Sequence, residues 1–307
     1  MYNENPSICV VGSSNMDLLS KVPRLPKLGE TLIGHHFYIG FGGKGANQAV
    51  MAARLKAQVT MVTKLGNDIF GKETIKNYEN NNINTKYVYF CDESSGVAPI
   101  FVDDEGNNFI VIVPGANWKL SPDEVAASSE VIEKSDSIVC QLEIPLESSF
   151  EAFKIAKIHN VITIFNPAPA RLLPDDFYRI VDIIIPNEVE ASLLSGIEIK
   201  TIDDAKSAAE FFLKKGAKYS IITLGKSGSL IFDGNTYTHI KPLSVKAIDS
   251  TGAGDAFIGA FSYYYSLSKN ILKSAEFASV AAGLSVTKIG TQTSFPFLED
   301  ILKEYNI

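Results

Sequence analysis

The chain has 307 residues, 46% of them hydrophobic and 21% charged, with a formal net charge of −7 and a pI near 5.2. That length suits one large α/β domain with a small appendage. The acidic balance argues against broad nucleic-acid or anionic-membrane binding, which needs a basic face, but leaves room for a small anion held by backbone amides.

The first residues, MYNENPSICVVG, carry neither a basic region nor a long apolar run, so no signal peptide is expected. No stretch reaches the roughly 18 apolar residues of a membrane span. Cys9, Cys91 and Cys140 sit in apolar strand-like runs without metal-ligand spacing. They are expected to be buried free thiols in a reducing, cytoplasmic setting.

In chain order, ICVVG (8–12) reads as the first buried strand. Residues 15–22 and 31–41 continue as extended chain with no helix between them. KGANQAVMAARLK (44–56) has a helical pattern, and VTMVTKLG (59–66) is a second buried strand. Residues 86–113 alternate with period two, with turns at DESSG and DDEGNN. Together with 15–22 and 31–41 they predict a small antiparallel sheet standing off the main body. A lid over a ligand cleft and a plain edge extension both fit that pattern. Strands follow at 137–143, 161–169, 182–188 and 219–225, with helices over 121–135 and 203–216. VKAID (245–249) reads as a strand, and 253–269 and 272–290 as helices rich in small residues. This alternation predicts a single α/β domain over 1–307: a mainly parallel central sheet flanked by helices on both faces, with the small sheet as a lid. Ligands in such sheets bind beyond the carboxyl ends of the strands.

Three stretches carry chemistry. GFGGKG (40–45) matches G-x-G-x-x-G in letters, but it follows an extended segment rather than the first strand of a βαβ unit, so a dinucleotide fingerprint is not supported. A Walker-A loop is absent as well, because Lys44 is followed by Gly45 and Lys226 lacks the upstream glycine. The stretch does offer a glycine-lined entry to a helix, with Asn47 projecting from its first turn. In NMD (15–17), Asn15 and Asp17 share one side of the chain by the period of two. An amide beside a carboxylate can take vicinal hydroxyls; an Asx-turn is the plainer alternative. In DSTGAGDAF (249–257), Gly252 and Gly254 leave helix N-terminal N–H groups unobstructed, and the helix dipole favours a negative charge at Asp255. Amides for a developing phosphate charge thus stand beside a carboxylate base, which is the positioning phosphoryl transfer requires.

GSSNMD (12–17), GGKGANQAV (42–50), QLEIPLE (141–147), NPAPAR (166–171), PNEVEA (186–191), TLGKSG (223–228) and DSTGAGDAF run in the order and spacing of the ribokinase-like carbohydrate kinases. The chain resembles that family over nearly its whole length. The resemblance implies ATP-dependent phosphorylation of D-ribose at O5 to give D-ribose 5-phosphate and ADP. It implies that Asp255 is the base and that the amides of Gly252, Ala253 and Gly254 form an anion hole. Asn15, Met16, Asp17, Gly43, Lys44, Gly45, Ala46, Asn47 and Glu143, together with Asp255, match sugar-binding positions. Asn187, Thr223, Leu224, Gly225, Lys226, Ser227, Gly228 and Ser279, with Gly254 and Asp255, match the nucleotide side, and Glu190 matches a carboxylate tied to Mg²⁺ and phosphate. An activating K⁺ would take Asp249, Thr251, Ser285, Lys288, Gly290 and Ser294, several through backbone carbonyls. Ser279 stands where a larger His or Asn is expected, and Ser285 where alanine is usual.

Kinases for 2-deoxyribose, fructose or a nucleoside remain alternatives on the same fold. A sugar-phosphate kinase would need cationic side chains at the acceptor end, and only Arg24 lies near a lid segment. A non-catalytic sugar-binding protein would be expected to lack the base or the anion hole. The half-apolar lid also predicts a homodimer in which two lids cover each other.

Overall fold

The computed structural model describes residues 5–305. Its strands are β1 (Ser7–Val11), β2 (Asn15–Lys21), β3 (His36–Gly42), β4 (Gln58–Gly66), β5 (Asn84–Cys91), β6 (Gly96–Val102), β7 (Asn108–Ile110), β8 (Ser137–Cys140), β9 (Ile162–Phe165), β10 (Ile183–Ile184), β11 (Tyr219–Thr223), β12 (Ser229–Phe232) and β13 (Tyr237–Ile240). One sheet has the order β13-β12-β11-β10-β9-β8-β1-β4-β5, and a second has the order β3-β2-β6-β7. All neighbours from β11 to β5 in the large sheet pair in parallel. β12 and β13 pair antiparallel at one edge.

β1 shows why this sheet is covered twice. Ile8 and Val10 point to one face and Cys9 and Val11 to the other, and all four are at most 1% exposed. On the first face, Met51 of the Lys44–Arg54 helix, Phe257 and Phe261 of the Ala253–Ser268 helix, and Phe277 of the Ile271–Ser285 helix form the core. On the other face, Phe153, Phe165, Phe177 and Phe212 pack together, supplied in part by the Leu146–Ile158 and Ile202–Lys215 helices. Full burial of each ring contributes about 1.5–3 kcal/mol. Among the described residues, no helix is long and apolar enough to cross a membrane.

The structure corrects the sequence reading at several points. Residues 84–91, counted in part with the lid, form β5 and pair with β4 in the large sheet. The small sheet is mixed rather than antiparallel, since β2 pairs parallel with β6. Residues 31–35 are not strand, and neither is 245–249. The helix expected over 121–135 is two short ones, Pro122–Ala126 and Ser129–Glu133, the first opened by a capping box of Ser121 and Glu124. The strand at 182–188 shortens to two residues. Cys9 and Cys140 are buried, but Cys91 is only half-buried.

Candidate active site

The site lies at the carboxyl ends of the central strands. From β1 the chain turns through Ser13 and Ser14 into β2, which places Asn15 and Asp17 on one face of the small sheet and turns the buried Met16 side chain to the other. Asn117 donates through Nδ2 to Asn15 Oδ1 at 2.7 Å while its own Oδ1 accepts from Ser14 N at 2.8 Å. Asn15 is therefore left with its N–H donors for a ligand. Glycines let three segments meet here. A Cβ on Gly43, whose φ is +88°, would lie 2.6 Å from Asn15 N, and one on Gly45 would lie 2.6 Å from Ser13 N. One on Gly42 would fall 2.3 Å from Asp17 Oδ1. Glu143, beyond β8, accepts from Ser13 Oγ at 2.5 Å and from Lys44 N at 3.0 Å. Ala46 is buried, and its N–H donates to Ser13 O at 2.8 Å, so both Gly45 and Ala46 knit this turn rather than present side chains.

Asp255 sits in the first turn of the Ala253–Ser268 helix, 7% exposed. Gly259 sets that helix against the Lys44–Arg54 helix, since a Cβ there would be 2.6 Å from Gln48 O. The close crossing brings two adjacent amides to the carboxylate. Asn47 Nδ2 donates to Oδ2 and Gln48 Nε2 to Oδ1, both at 2.9 Å. Asn47 Oδ1 in turn accepts from Gln292 Nε2 at 3.0 Å, and Gln292 Oε1 accepts from Asn77 Nδ2 at 2.9 Å. Gly252, at φ +77°, caps the helix without a side-chain bond. Ala253 N donates to Ser250 O at 3.2 Å, whereas the Gly252 and Gly254 N–H groups have no protein acceptor among the described residues. A Cβ on Gly254 would meet nothing within 4 Å, so open space lies in front of it.

Charge is concentrated here. Burial, reinforced by the charges of Glu143 and Asp255, pushes the Asp17 carboxyl up to about 7. Burial opposes the Lys44 ammonium, but Asp255, Glu143 and Glu190 outweigh it and hold the group above its usual value. Burial also raises Glu190, against the Asn187 N–H and Lys44, which favour its ionised form.

Of the residues expected on the nucleotide side, Asn187, Glu190 and 223–228 lie at or beyond the ends of β10 and β11, and Ser279 lies in the Ile271–Ser285 helix. Asn187 and Glu190 form a capping box at the start of the Glu188–Ser195 helix, with both reciprocal bonds at 2.8 Å. Thr223 bridges to Asn187, and Thr223 N donates to Pro186 O at 2.9 Å. Leu224 N donates to Gly228 O at 2.7 Å, closing a single 3-10 turn over Gly225–Ser227 with Lys226 and Ser227 exposed. Gly228, at φ +87°, lies where a Cβ would strike Ile240 O at 2.0 Å. Ser279 donates to Lys241 O at 3.2 Å.

Asp249 ties two loops together, accepting from Thr251 N and Oγ1 at 2.9 and 2.7 Å and from Gly290 N at 2.9 Å. Burial opposes its charge, but these donors hold it below the usual carboxylate range. The Ser285 and Ser294 hydroxyls donate to Ala282 O and Thr291 O, both at 2.8 Å, and Lys288 and Ser294 share the lining of a cavity of about 210 Å³. No cluster of three His, Cys, Asp or Glu suited to a metal occurs among the described residues. Among the residues expected to hold K⁺, Asp249 supplies the single carboxylate, and its oxygens face the N–H groups of Thr251 and Gly290 and the Thr251 hydroxyl.

Sequence reading missed Gln48, Asn117 and Gln292. Gln48 was the detectable one, as a second amide beside Asn47 in a helix whose other residues between Lys44 and Arg54 are small or apolar.

A family model for the pfkB family carbohydrate kinases matches residues 5–298, and the chain belongs to that family. Ribokinase of Mus musculus is 43% identical over 97% of this chain and 94% of its own length. A deoxyribokinase of Salmonella typhi is also 43% identical, over 95% of this chain and 96% of its own. The structure of Arabidopsis thaliana ribokinase complexed with ribose and ATP matches with a TM-score of 0.92 at 31% identity, covering 99% of this chain and all of that one.

Proposed function

We propose that the protein transfers the γ-phosphoryl group of ATP to O5 of D-ribose, producing D-ribose 5-phosphate and ADP. The observation that carries this reading is Asp255, buried at a helix N-terminus with open space before Gly254 and an amide on each carboxylate oxygen. Asn15, Asp17, Asn47 and Glu143 hold the sugar hydroxyls, with Lys44 beside them. Asp255 orients the primary hydroxyl and takes its proton as the O5–P bond forms and the bond to the ADP oxygen breaks. The free N–H groups of Gly252 and Gly254 stabilise the charge on the transferring phosphate, with Ala253 shaping the turn. Asn187 and residues 223–228, with Ser279, line the nucleotide side. Glu190 would help hold Mg²⁺, which supplies neutralising charge to the phosphates. Asp249, Thr251, Ser285, Lys288, Gly290 and Ser294 would hold K⁺, which stabilises the 249–252 loop. The small sheet closes over the sugar and excludes water, and a second copy covers its exposed apolar faces in a homodimer. A cytoplasmic setting suits the three free thiols.

A second reading, 2-deoxyribose as acceptor, is favoured by the similarity to the Salmonella typhi deoxyribokinase. ADP release from MgATP, measured with D-ribose, 2-deoxyribose, fructose and adenosine, each with and without K⁺, separates them. Turnover highest with D-ribose and raised by K⁺ supports the first reading. Preference for 2-deoxyribose replaces it with the second, and no turnover on any acceptor removes both.

A further inference from the structure

Gln48 has none of the sugar, phosphate or ion roles proposed above, yet it is 1% exposed and bonded to Asp255. Its Nε2 donates to Asp255 Oδ1 at 2.9 Å and to Asn166 Oδ1 at 3.2 Å, and its Oε1 accepts from Gln141 Nε2 at 2.6 Å. Each amide in this string fixes the orientation of the next. Asn166 donates through Nδ2 to Ile185 O at 3.0 Å, which turns its Oδ1 to Gln48. Two oxygens therefore face Gln48, which must answer with its NH₂ and present its own oxygen to Gln141. Gln141 in turn must present its NH₂. Its Oε1 is left against Gly12, buried and without a hydrogen-bond partner among the described residues. An unpaired buried amide oxygen is unfavourable. Reversing Gln141 would set two amide oxygens against each other, so the string keeps its direction.

We propose that Gln48, oriented by Asn166 and Gln141, is a positioning residue for phosphoryl transfer: it locks the Asp255 carboxylate in the rotamer that meets the acceptor hydroxyl. The inference rests on the reading of Asp255 as the base. Asn47 holds Oδ2 from the sugar end of the cleft, and Gln48 holds Oδ1 from within the core. With Oδ1 released, the carboxyl group can turn about its last torsion, and a small misplacement of a reacting group lowers the rate steeply. The lost N–H also removes a donor that favours the ionised carboxylate. The charged groups acting on Asp255 are Asp17 of β2, Lys44 of the Lys44–Arg54 helix and Glu190 of the Glu188–Ser195 helix, with Glu143 close by. Substitution at 48 leaves all of them in place.

The test is steady-state kinetics with MgATP and D-ribose from pH 5.5 to 9 on Gln48→Met, Gln48→Glu and Gln141→Met, with Asp255→Asn as control and urea melts to verify folding. Gln48→Met is expected to lower kcat about ten- to hundredfold, with KM for the sugar within about threefold. It should also move the acid limb of kcat/KM upward, and Gln48→Glu should move it further, because two adjacent carboxylates compete for one proton. Gln141→Met, one amide removed, should give a smaller loss in the same direction. An acid limb unmoved in both Gln48 variants, with Asp255→Asn inactive, reduces Gln48 to a packing residue and overturns the proposal. Turnover retained in Asp255→Asn overturns the base reading instead. Should the Gln48 variants fail to fold, Gln141→Met decides: a shifted limb supports the string, and a wild-type limb overturns it.

Discussion

The surroundings of Asp255 and the four-stranded sheet above them are built on opposite principles. At Asp255 both carboxylate oxygens are bonded, and the amides that bond them are themselves held by Asn166, Gln141 and Gln292. In the small sheet the register lines up Phe37, Ser20, Phe101 and Phe109 across β3, β2, β6 and β7 on one face, and Tyr38, Leu19, Ile100 and Ile110 on the other. Phe37 is 59% exposed, Tyr38 53% and Ile110 52%. A buried polar group must find its partners inside the chain, so the chemical end is assembled before any ligand arrives. An apolar face can wait for a ligand or a second copy to cover it. The difference teaches that polar groups whose partners lie inside the chain and apolar groups left uncovered are kept in separate parts of the molecule.

Four substitutions test that division, in falling order of effect on turnover. Asp255→Asn keeps the shape but removes the proposed base, and kcat should fall by about a thousandfold or more while ribose binding by calorimetry survives. Gly43→Ala places a Cβ at positive φ and 2.6 Å from Asn15 N. It should destabilise the fold by roughly 2–4 kcal/mol in urea and raise the sugar KM well over tenfold. Asp17→Asn should weaken ribose binding about tenfold yet stabilise the ligand-free protein. The sign follows from the raised carboxyl: its protonated form favours the fold, so that stability is complete below about pH 4, the ordinary Asp value, and is lost as pH rises through about 7. Thermal melts should therefore show a higher Tm for Asp17→Asn at pH 8 and no gain at pH 4. The smallest effect on chemistry is expected from Ile39→Lys, on the same face as Phe37 and Phe101. It should leave kcat within about threefold while shifting the light-scattering mass from dimer to monomer. A wild-type mass that is already monomeric would remove the covering copy from the account.

Much of the fold was legible because its cause is local. Runs such as ICVVG and YSIITLG cannot be half-wet, so a covered parallel sheet follows from them directly. Failures came where local pattern is ambiguous. Residues 84–91 alternate like a lid strand, yet they pair with β4, and strand partners are a long-range choice. β12 and β13 escaped because four residues joined by a DGNT turn carry too little periodicity. VKAID has strand-forming residues, but its backbone is tied by Ile248 and Asp249 N–H to Val286 O instead of to a neighbouring strand.

The residue types of the site were written in the chain: a helix-entry aspartate behind two glycines, an amide and a carboxylate two apart on a strand, and a glycine run before Lys44. Those features depend on backbone conformations that only certain residues adopt, and such preferences act over a few positions. Which amides would serve Asp255 was settled by the crossing of two helices more than 200 residues apart in sequence, at contacts such as Asn47 with Asp255. Likewise Asn117 came to orient Asn15 across 102 positions. Hydrogen bonds of that kind are chosen by packing, because close-packed helices decide which polar groups lose water together and must therefore bond to one another.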